Sequence, residues 1–325
     1  MQDSHLLVGD IGGTNARFAL ALRDEPGFFD ELQLPCADFA TAHGAIEYFL
    51  TSRKASLPDT ICLAAAGPLV AQSVRFTNNH WSLVATDLAA AFNGAKVRLL
   101  NDFEAIAYSI PHLGKAERLP VGLPISAELP ANNYSVAIIG PGTGLGAVGL
   151  KMVDGTMIPI PGEAGHMGFA PTTQVQLEIL MALREHHDRV SSERLVCGPG
   201  IESIHWALGR VHGQEWPQRS AEEIFTAAVN NQDGRASEAV QMFFEILGQF
   251  AGDFALALGA TDGIFIAGGI VPRYPSLIAN SRFRSGFENK GRCRSMMEKI
   301  PTQLILHKNP GLLGAAAVAA TMAKT

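Results

Sequence analysis

Short apolar runs separated by glycine-rich turns organise roughly the first 110 residues of the chain. Leu6 to Asp10 is an apolar run that ends in an acid, and Phe18, Leu20 and Leu22 follow at period two, which predicts a second strand. The residues between the two runs, Gly12 to Asn15, therefore form a loop that joins two strands. A dinucleotide fingerprint or a Walker loop would instead join a strand to a helix.

Strands and helices alternate after this hairpin, as expected for an α/β fold. The pattern predicts helices over Thr41–Thr51 and Asp87–Phe92 and strands over Thr60–Ala66 and Lys96–Leu100. The last of these strands ends at Asn101 and Asp102. Ligands usually bind at the carboxyl ends of strands in α/β sheets, so this pair is a candidate site.

The opening pattern returns about 130 residues further along the chain. Its predicted parts are a strand over Tyr134–Ile139, a glycine loop over Gly140–Gly146, a strand over Ala147–Val153, a turn at Asp154-Gly155 and a third strand over Thr156–Ile160. Because strand, glycine turn and strand occur twice, we expect two related α/β halves. Residues 113–133 are rich in proline and glycine and are expected to connect them.

The remainder of the chain is predicted to be more helical. The predicted elements are helices over Thr173–His187 and Ser237–Leu258, a capping box at Ser220–Glu223 that begins another helix, strands over Gly263–Ala267 and Gln303–His307, and a terminal helix over Gly311–Ala323. The terminal apolar stretch is shorter than the ~20 residues that span a bilayer, so we expect no membrane segment.

Composition narrows the class of protein. A chain of 325 residues with 47% hydrophobic and 17% charged residues has room for two folded domains and is not of disordered type. Its net charge of -6 argues against a nucleic-acid-binding surface. No basic segment precedes the first apolar run, so we expect no secretory signal and a cytoplasmic protein. The four cysteines form no C-x-x-C pair, which excludes a zinc knuckle on spacing.

The two glycine hairpins can hold phosphates, because main-chain N–H groups form anion-binding nests and absent side chains allow close approach. Ordinary tight turns are the alternative, but two turns of one type, each with a threonine beside a glycine, favour phosphate binding. Asp10 beside the first loop implies a Mg²⁺ ion between carboxylate and phosphate. Gly142–Ala147 fits a loose dinucleotide pattern, but a strand is predicted after it, and a pyrophosphate needs a helix N-terminus there.

Two further sets of polar residues remain open on this reasoning. Asn101 and Asp102 begin a helical stretch, where both residue types are favoured as N-caps, so a cap and a catalytic base are equally supported. Glu163 and His166 lie in a loop of small residues, a setting slightly more typical of an exposed turn than of a binding site.

Together, these motifs resemble those of the bacterial glucokinases, within the hexokinase and actin-like ATPase superfamily, over essentially the whole chain. Their number and order make the resemblance far more specific than one glycine loop. The motifs are Asp10–Asn15, Phe76–Asn79, Asn101–Phe103, Gly140–Gly146, Pro161–His166, Ser192–Arg194, Gly198–Gly200, Phe265–Pro272 and Asn309–Gly314.

The resemblance implies a two-lobed α/β fold of the actin-like ATPase (ribonuclease H-like) class, with the active site in the cleft between a small and a large domain. Residues 1–112 and 305–325 would form the small α/β domain and residues 113–304 the large one. The implied activity is ATP-dependent phosphorylation of D-glucose at the 6-hydroxyl, the first step of glycolysis. The implied protein is a homodimer that binds neither nucleic acid nor membrane.

Residue roles are implied by the same resemblance, position by position. Asp102 would be the catalytic base, and Asp10 would hold the Mg²⁺ that accompanies ATP, directly or through water. The residues implied to bind the sugar hydroxyls are Asn101, Asp102, Glu163, His166 and Glu193. The residues implied to bind ATP are Gly9, Asp10, Ile11, Gly12, Gly13, Thr14, Asn15, Gly142, Thr143, Gly144, Gly268 and Gly269.

The chain departs from the family pattern just after the motif histidine. Gly168 stands where an acidic residue is expected, which could change the loop but removes no ligand. Related repressors and sugar kinases carry a cysteine-rich zinc motif at this point. Here Met167–Pro171 follows instead, so no structural zinc is expected.

Three other functions remain as alternatives. A kinase of fructose, mannose or an amino sugar would use the same fold. A sugar-responsive transcription regulator would carry a helix-turn-helix ahead of the kinase fold, and since the phosphate loop begins by residue 10 we expect none. An actin-like polymer or chaperone ATPase would have no use for Glu163, His166 and Glu193.

Overall fold

The computed structural model describes residues 6–76, 79–122 and 128–324. Thr77 and Asn78 of the Phe76–Asn79 motif therefore lie outside the described residues, as does part of the expected connection at 113–133. The chain divides into two compact units, Met1–Gly114 with His307–Thr325 and Lys115–Leu306. Each unit has its own main sheet.

Every strand and helix predicted above is present. The strands are β1 (Leu6–Ile11), β2 (Asn15–Ala21), β3 (Phe28–Pro35), β4 (Thr60–Ala65), β5 (Leu69–Val70), β6 (Ser73–Arg75), β7 (Ser82–Val84), β8 (Lys96–Asn101), β9 (Arg118–Pro120), β10 (Tyr134–Pro141), β11 (Leu145–Val153), β12 (Thr156–Pro161), β13 (Gly263–Ile266) and β14 (Thr302–Ile305). The helices are α1 (Ala42–Arg53), α2 (Ala85–Ala91), α3 (Asp102–Ser109), α4 (Gln174–Arg184), α5 (Gly198–Val211), α6 (Ala221–Val229), α7 (Gly234–Leu258), α8 (Pro275–Ala279), α9 (Phe283–Glu288), α10 (Arg294–Met297) and α11 (Pro310–Lys324).

The main sheet of the first unit has the strand order β3-β2-β1-β4-β8. β1, β2 and β3 pair in antiparallel fashion, whereas β4 and β8 continue the sheet parallel to β1. Fully buried side chains such as Leu7, Phe18, Phe49 and Leu63 form an apolar core on this sheet. Helix α11 brings the end of the chain back against α3 and β1.

The main sheet of the second unit has the order β12-β11-β10-β13-β14-β9. Apart from β9, its strand order and directions repeat those of the first unit, with two antiparallel pairings followed by two parallel ones. The predicted repeat of strand, glycine turn and strand is therefore confirmed. Asp154 and Gly155 form the predicted hairpin turn, with φ angles of 49° and 77°.

Strand register brings the candidate residues of the first unit to one edge of its sheet. Ile11 lies beside Ala65 of β4, and Ala65 lies beside Asn101 of β8. Two strand spacings of ~4.8 Å separate the end of β1 from the end of β8. The first glycine loop and the Asn101-Asp102 pair are thus neighbours at the carboxyl ends of parallel strands.

The second unit repeats this arrangement. Ile139 of β10 lies beside Ile266 of the parallel strand β13. The second glycine loop follows β10 and Gly268-Gly269 follows β13, so both predicted ATP-binding segments leave the same edge of the sheet.

Among the described residues, five strands have no counterpart in the sequence patterns: β3, β9, and the short strands β5, β6 and β7, which pair in a small sheet of their own. β9 lies inside the stretch expected to be a plain connection and pairs antiparallel with β14, so that expectation is wrong at Arg118–Pro120. β9 has only three residues and ends in a proline, so it is too short to show the alternation of apolar and polar residues that predicts a strand. β3 is an edge strand whose side chains are mostly exposed, so it lacks the apolar alternation that predicts a strand.

The long helix α7 is buried along most of its length and packs closely on α9. Added Cβ atoms on Gly248 of α7 and Gly286 of α9 would overlap the carbonyl oxygens of Phe283 and Glu245, respectively. Glycine at both positions lets the two backbones touch. None of the helices in the described ranges is both long and apolar enough to cross a membrane.

Candidate active site

The first glycine loop closes between β1 and β2, as the sequence predicts. Ile11 and Ala16 are the last paired residues, and the Gly12 N–H donates to the Asn15 carbonyl at 2.9 Å. The Asn79 side-chain amide donates to the Gly12 carbonyl at 3.1 Å. The loop is therefore a strand-to-strand turn with a defined main-chain conformation.

Gly9, Asp10 and Ile11, which are predicted to bind ATP, belong to strand β1 rather than to the loop, and Asn15 is the first residue of β2. Gly9 is buried in β1, where an added Cβ would lie 2.7 Å from Leu63 Cδ2 and 3.0 Å from the Phe18 ring. The Ile11 side chain is 0% exposed and lies in the core. Any contact of Gly9 or Ile11 with a ligand can thus involve only the main chain, and glycine at position 9 is explained by packing.

Asp10 lies half-buried near the end of β1. Burial raises the pKa of its carboxyl group, Arg17 opposes that shift and Glu31 adds to it. A cation would favour the carboxylate form, and Mg²⁺ in phosphate sites is commonly held by one or two carboxylates together with the phosphates. Asp10 therefore fits a Mg²⁺ ion that also contacts ATP. Among the described residues, no group of three or more His, Cys, Asp or Glu side chains could hold a metal ion.

A glycine of the terminal helix α11 lies against the Asp10 carboxylate. Gly311 lies in the first turn of α11, where an added Cβ would be 3.2 Å from Asp10 Oδ2. Gly311 belongs to the family motif Asn309–Gly314, for which the sequence implies no role. The structure supplies one, because a larger residue would press on the Asp10 carboxylate.

Of Asn101 and Asp102, the structure makes Asn101 the helix cap. Asn101 Oδ1 accepts from the Phe103 N–H at 3.0 Å and the Glu104 N–H at 3.4 Å, and the Glu104 carboxylate accepts from the Asn101 N–H at 3.4 Å. Asn101 is therefore the cap of α3, in a complete capping box. Asp102 is the first helical residue, where the helix dipole stabilises a negative charge.

In the second unit, the second glycine loop lines a pocket of about 370 Å³, here called the glycine-loop pocket. The Gly142 N–H donates to the Gly144 carbonyl at 2.8 Å, and the Gly198 N–H of α5 donates to the Gly142 carbonyl at 2.8 Å. Gly268 has a φ of 88°, and an added Cβ would overlap the Pro141 carbonyl. The two predicted ATP-binding segments therefore lie against each other.

The glycine-loop pocket contains residues that sequence reasoning missed. The rings of Phe225 and Tyr274 stack with centroids 4.8 Å apart, and both line the pocket. The capping box at Ser220–Glu223 locates the start of α6 correctly, but it carries no signal for a ligand. The lining residues are Gly142, Thr143, Gly198, Pro199, Glu202, Ala221, Glu222, Phe225, Gly269, Ile270, Arg273 and Tyr274.

Glu163, His166 and Glu193 lie on two short loops of the second unit, here called the sugar loops. Glu163 precedes the 3-10 segment Ala164–His166, and Glu193 lies within the 3-10 segment Ser192–Arg194. His166 Nδ1 is 3.9 Å from Glu193 Oε1, and the two side chains are 60% and 30% exposed. The structure thus brings predicted sugar-binding groups together with their polar ends open to a ligand.

Glu193 connects the sugar loops to the second glycine loop. Its Oε2 accepts from the Leu145 N–H at 2.9 Å. An added Cβ on Gly144 would lie 2.5 Å from the same oxygen, and an added Cβ on Gly165 would overlap the Leu145 carbonyl. Glycine at positions 144 and 165 therefore lets the carboxylate and its loop approach β11. Gly144, on one side of this contact, is predicted to bind ATP, and Glu193, on the other side, is predicted to bind the sugar.

Main-chain hydrogen bonds also tie the two sugar loops to each other. Gly168 forms a bridge with Ser191, and the Ser192 N–H donates to the Met167 carbonyl at 2.9 Å. An added Cβ on Gly168 would meet no atom within 4 Å. The acidic residue of the family pattern is thus not needed for this pairing.

The glucokinase family model matches residues 7–322 of the chain. The chain belongs to the glucokinase family. A curated glucokinase from Caulobacter sp. (strain K31) is 41% identical over 313 residues, which cover 95% of this chain and 93% of that protein. Membership over nearly the whole length makes this chain a hexose kinase with the function of the glucokinase family.

Solved glucokinase structures share the fold. Glucokinase from an Antarctic psychrotroph is 33% identical, has a TM-score of 0.89, and covers 98% of this chain and 99% of its own. A ROK family glucokinase from Streptomyces griseus, solved in complex with glucose and AMPPNP, has a TM-score of 0.64 at 18% identity and the same coverage. The predicted fold class is confirmed, since these kinases have the two-domain actin-like ATPase fold.

Proposed function

We propose that the chain transfers the γ-phosphoryl group of ATP to the 6-hydroxyl of D-glucose and so catalyses the first step of glycolysis. The observation that carries this proposal is the match to the glucokinase family over residues 7–322. The chemistry of the candidate residues is compatible with both ATP and glucose.

ATP as the phosphoryl donor is supported by the two glycine loops and by the glycine-loop pocket. The main-chain N–H groups of Gly12–Asn15 and Gly142–Gly144 would receive phosphate oxygens. The pocket of about 370 Å³ is lined by Tyr274, whose ring is backed by buried Phe225 and is suited to contact a planar base, with Glu222 and Arg273 as polar groups. Gly268 and Gly269 would lie near the adenosine. AMPPNP, bound to the Streptomyces griseus relative, is an analogue of ATP.

Phosphoryl transfer depends mostly on positioning and charge stabilisation, because its transition state is loose. Asp10 would hold the Mg²⁺ that accompanies ATP, directly or through water, and Mg²⁺ when bound offsets negative charge on the phosphates. Glycine at 311 leaves the Asp10 carboxylate room to act as a ligand.

The sugar side would use Asn101, Asp102, Glu163, His166 and Glu193. Asn101 would donate its amide N–H, since its Oδ1 already caps α3. The carboxylates of Glu163 and Glu193 would accept hydrogen bonds from sugar hydroxyl groups, and His166 can donate or accept. A sugar that lacks a hydroxyl leaves such groups unpaired, which is how sites of this kind discriminate.

Asp102 would act as the general base. Its carboxylate accepts the proton of the 6-hydroxyl while the oxygen attacks the γ-phosphorus and the bond to ADP breaks. Its place in the first turn of α3 fixes the carboxylate, with Oδ1 accepting from the Phe103 N–H at 2.9 Å. A positioned base of this kind contributes ~10²–10⁴ in rate.

We also propose a homodimer in the cytoplasm that takes a small-molecule substrate and binds neither nucleic acid nor membrane. The expectation rests on family resemblance and on the net charge of -6. A kinase of fructose, mannose or an amino sugar remains the alternative function, and the structure contains no observation that favours it over glucose.

The acceptor is tested by measuring ADP formed from ATP and Mg²⁺ with glucose, fructose, mannose or N-acetylglucosamine. We expect the highest kcat/KM with glucose, and glucose 6-phosphate as the product in an assay coupled to its dehydrogenase. A higher kcat/KM for another hexose would favour the alternative. If no hexose changes the rate of ADP formation, and the protein forms filaments in the electron microscope, an actin-like ATPase would be indicated.

The base is tested by Asp102→Asn. We expect the variant to fold and bind glucose but to lose ~10²–10⁴ in kcat. Asp87→Asn is the matched control, because Asp87 is also an acid in the first turn of a helix, α2, but carries no predicted role. Near-normal turnover in Asp102→Asn would remove Asp102 from the catalytic machinery.

A further inference from the structure

A small pocket lies between the sugar loops and helix α7. It has a volume of about 140 Å³ and is here called the loop pocket. Met167, Gly168 and Ser192 line it from the sugar loops, and Gln249 and Asp253 line it from α7. Met167 and Ser192 are the sequence neighbours of the predicted sugar ligands His166 and Glu193, and Gly168 follows Met167, so the pocket lies directly beside the segments that carry these ligands.

Gln249 is a buried polar residue, only 4% exposed. Its Nε2 donates to Gln176 Oε1 at 3.0 Å and to Thr172 Oγ1. Gln176 Oε1 is an acceptor, because the Thr172 N–H donates to it at 2.8 Å. The amide of Gln249 is therefore oriented by its neighbours, with Nε2 toward Thr172 and Gln176.

This orientation leaves the other end of the amide without a protein partner. Gln249 Oε1 is buried and accepts no hydrogen bond from any residue that the structure describes. A buried carbonyl without a donor is costly, whereas one that accepts from water is not. The loop pocket is large enough for this purpose, since a water needs ~10–15 Å³ of such space. Ser192 lines the same pocket with a hydroxyl that can donate or accept.

We propose that Gln249 is a positioning residue for the sugar loops, which acts through water held in the loop pocket between its Oε1 and the loops. The inference rests on the proposed function, because it concerns the same sugar site. Helix α7 is buried along most of its length, so it is a rigid support, while the sugar loops contribute exposed side chains. Water that bridges Gln249 Oε1 and the sugar loops would hold these loops, and with them His166 and Glu193, in place against the helix.

The first test is Gln249→Leu, assayed for the KM of each substrate and for kcat. Removing the carbonyl removes the acceptor that holds the water, so we expect the glucose KM to rise about five- to tenfold, as for one lost hydrogen bond. The ATP KM and kcat should stay within about twofold. Gln249 does not line the glycine-loop pocket, and it is not the proposed base, Asp102.

Gln241→Leu is the matched control. Gln241 lies on the same helix, and its Oε1 accepts from the Arg282 N–H at 3.0 Å, so it also makes side-chain hydrogen bonds, but it does not line the loop pocket. We expect its glucose KM to equal that of the unchanged protein. Equal glucose KM values for Gln249→Leu and Gln241→Leu, with both proteins folded, would overturn the inference.

Gly168→Leu reaches the same pocket from the loop side and leaves the buried network of Gln249 intact. It keeps the proposal testable if Gln249→Leu does not fold, because an added Cβ on Gly168 meets no atom within 4 Å. An apolar side chain that displaces the water should raise the glucose KM to a similar extent. The double variant should be no worse than either single variant, since both remove the same water.

Additive effects of the two substitutions, or an ATP KM that rises in parallel with the glucose KM, would show that Gln249 has only a structural role. The proposed function fails in a different way. If the unchanged protein does not phosphorylate glucose, the function is wrong. If it does and the Gln249 and Gly168 variants leave the glucose KM unchanged, only the positioning role is wrong.

Discussion

Gly144→Ala should distinguish sugar binding by Glu193 from ATP binding by the second glycine loop, because it is expected to weaken the first and to change the second far less. In the unchanged protein, Glu193 Oε2 accepts from the Leu145 N–H at 2.9 Å, directly over the glycine. The alanine Cβ would lie 2.5 Å from Oε2 and 3.3 Å from the Glu193 carboxyl carbon. Because ordinary contact begins near 3.4 Å, the carboxylate must retreat by about 0.9 Å.

A retreat of this size stretches the hydrogen bond to Leu145 from 2.9 Å toward about 3.8 Å, which is no longer a hydrogen bond. Hydrogen bonds to charged groups contribute ~1.5–3 kcal/mol, so the loss lowers the stability of the folded protein by up to about that amount. The glucose affinity suffers through the displacement itself, since moving a positioned group by about 1 Å can cost ~10²-fold. The ATP side should change far less, since the main chain at position 144 is not forced to move.

The assay is the KM for glucose and for ATP, measured on proteins whose folding is checked by melting temperature. Gly142→Ala is the matched control, because its added Cβ would lie 3.9 Å from the nearest atom, the Gly269 nitrogen. We expect Gly144→Ala to raise mainly the glucose KM and Gly142→Ala to leave it unchanged. A folded Gly144→Ala with a normal glucose KM, or with only its ATP KM raised, would refute the role of Glu193 in sugar binding.

Two further predictions follow from buried titratable groups. Asp10→Asn should raise the melting temperature at pH 7 without ATP and Mg²⁺, because burial raises the pKa of Asp10 and the folded state disfavours its charged form. The gain should shrink as the pH falls through the raised pKa of folded Asp10 and vanish below 3.8, its ordinary pKa, where Asp10 is protonated in both states. A gain independent of pH would contradict the reasoning. Burial raises the pKa of Cys62 to about 12 and that of Cys197 to about 11, so iodoacetamide at pH 8 should label half-buried Cys293 first, as measured by peptide mass spectrometry. If Cys62 in the native protein is labelled equally fast, the prediction is wrong, because the Cys62 thiol must then become exposed to solvent.

Local sequence patterns predict elements whose stability depends on neighbours in the chain. Phe18 and Leu20 alternate with small or polar residues because a strand places successive side chains on opposite faces, and this period needs no knowledge of the partner strand. The repeat of strand, glycine loop and strand is visible for the same reason. β3 is not visible because it is an exposed edge strand without apolar alternation, and β9 is not visible because it has three residues and is held by pairing with β14, far along the chain.

The sequence by itself determined which chemical groups the protein has at its strand ends: two glycine hairpins, the carboxylates of Asp10 and Asp102, and the polar residues of the sugar loops. The tertiary structure decided what several of them are for. Asn101 caps a helix, Gly9 makes room for Leu63, and Gly144 makes room for Glu193. The physical reason is separation along the chain: Glu193 and Leu145 are 48 residues apart, and no local period encodes a contact over that distance.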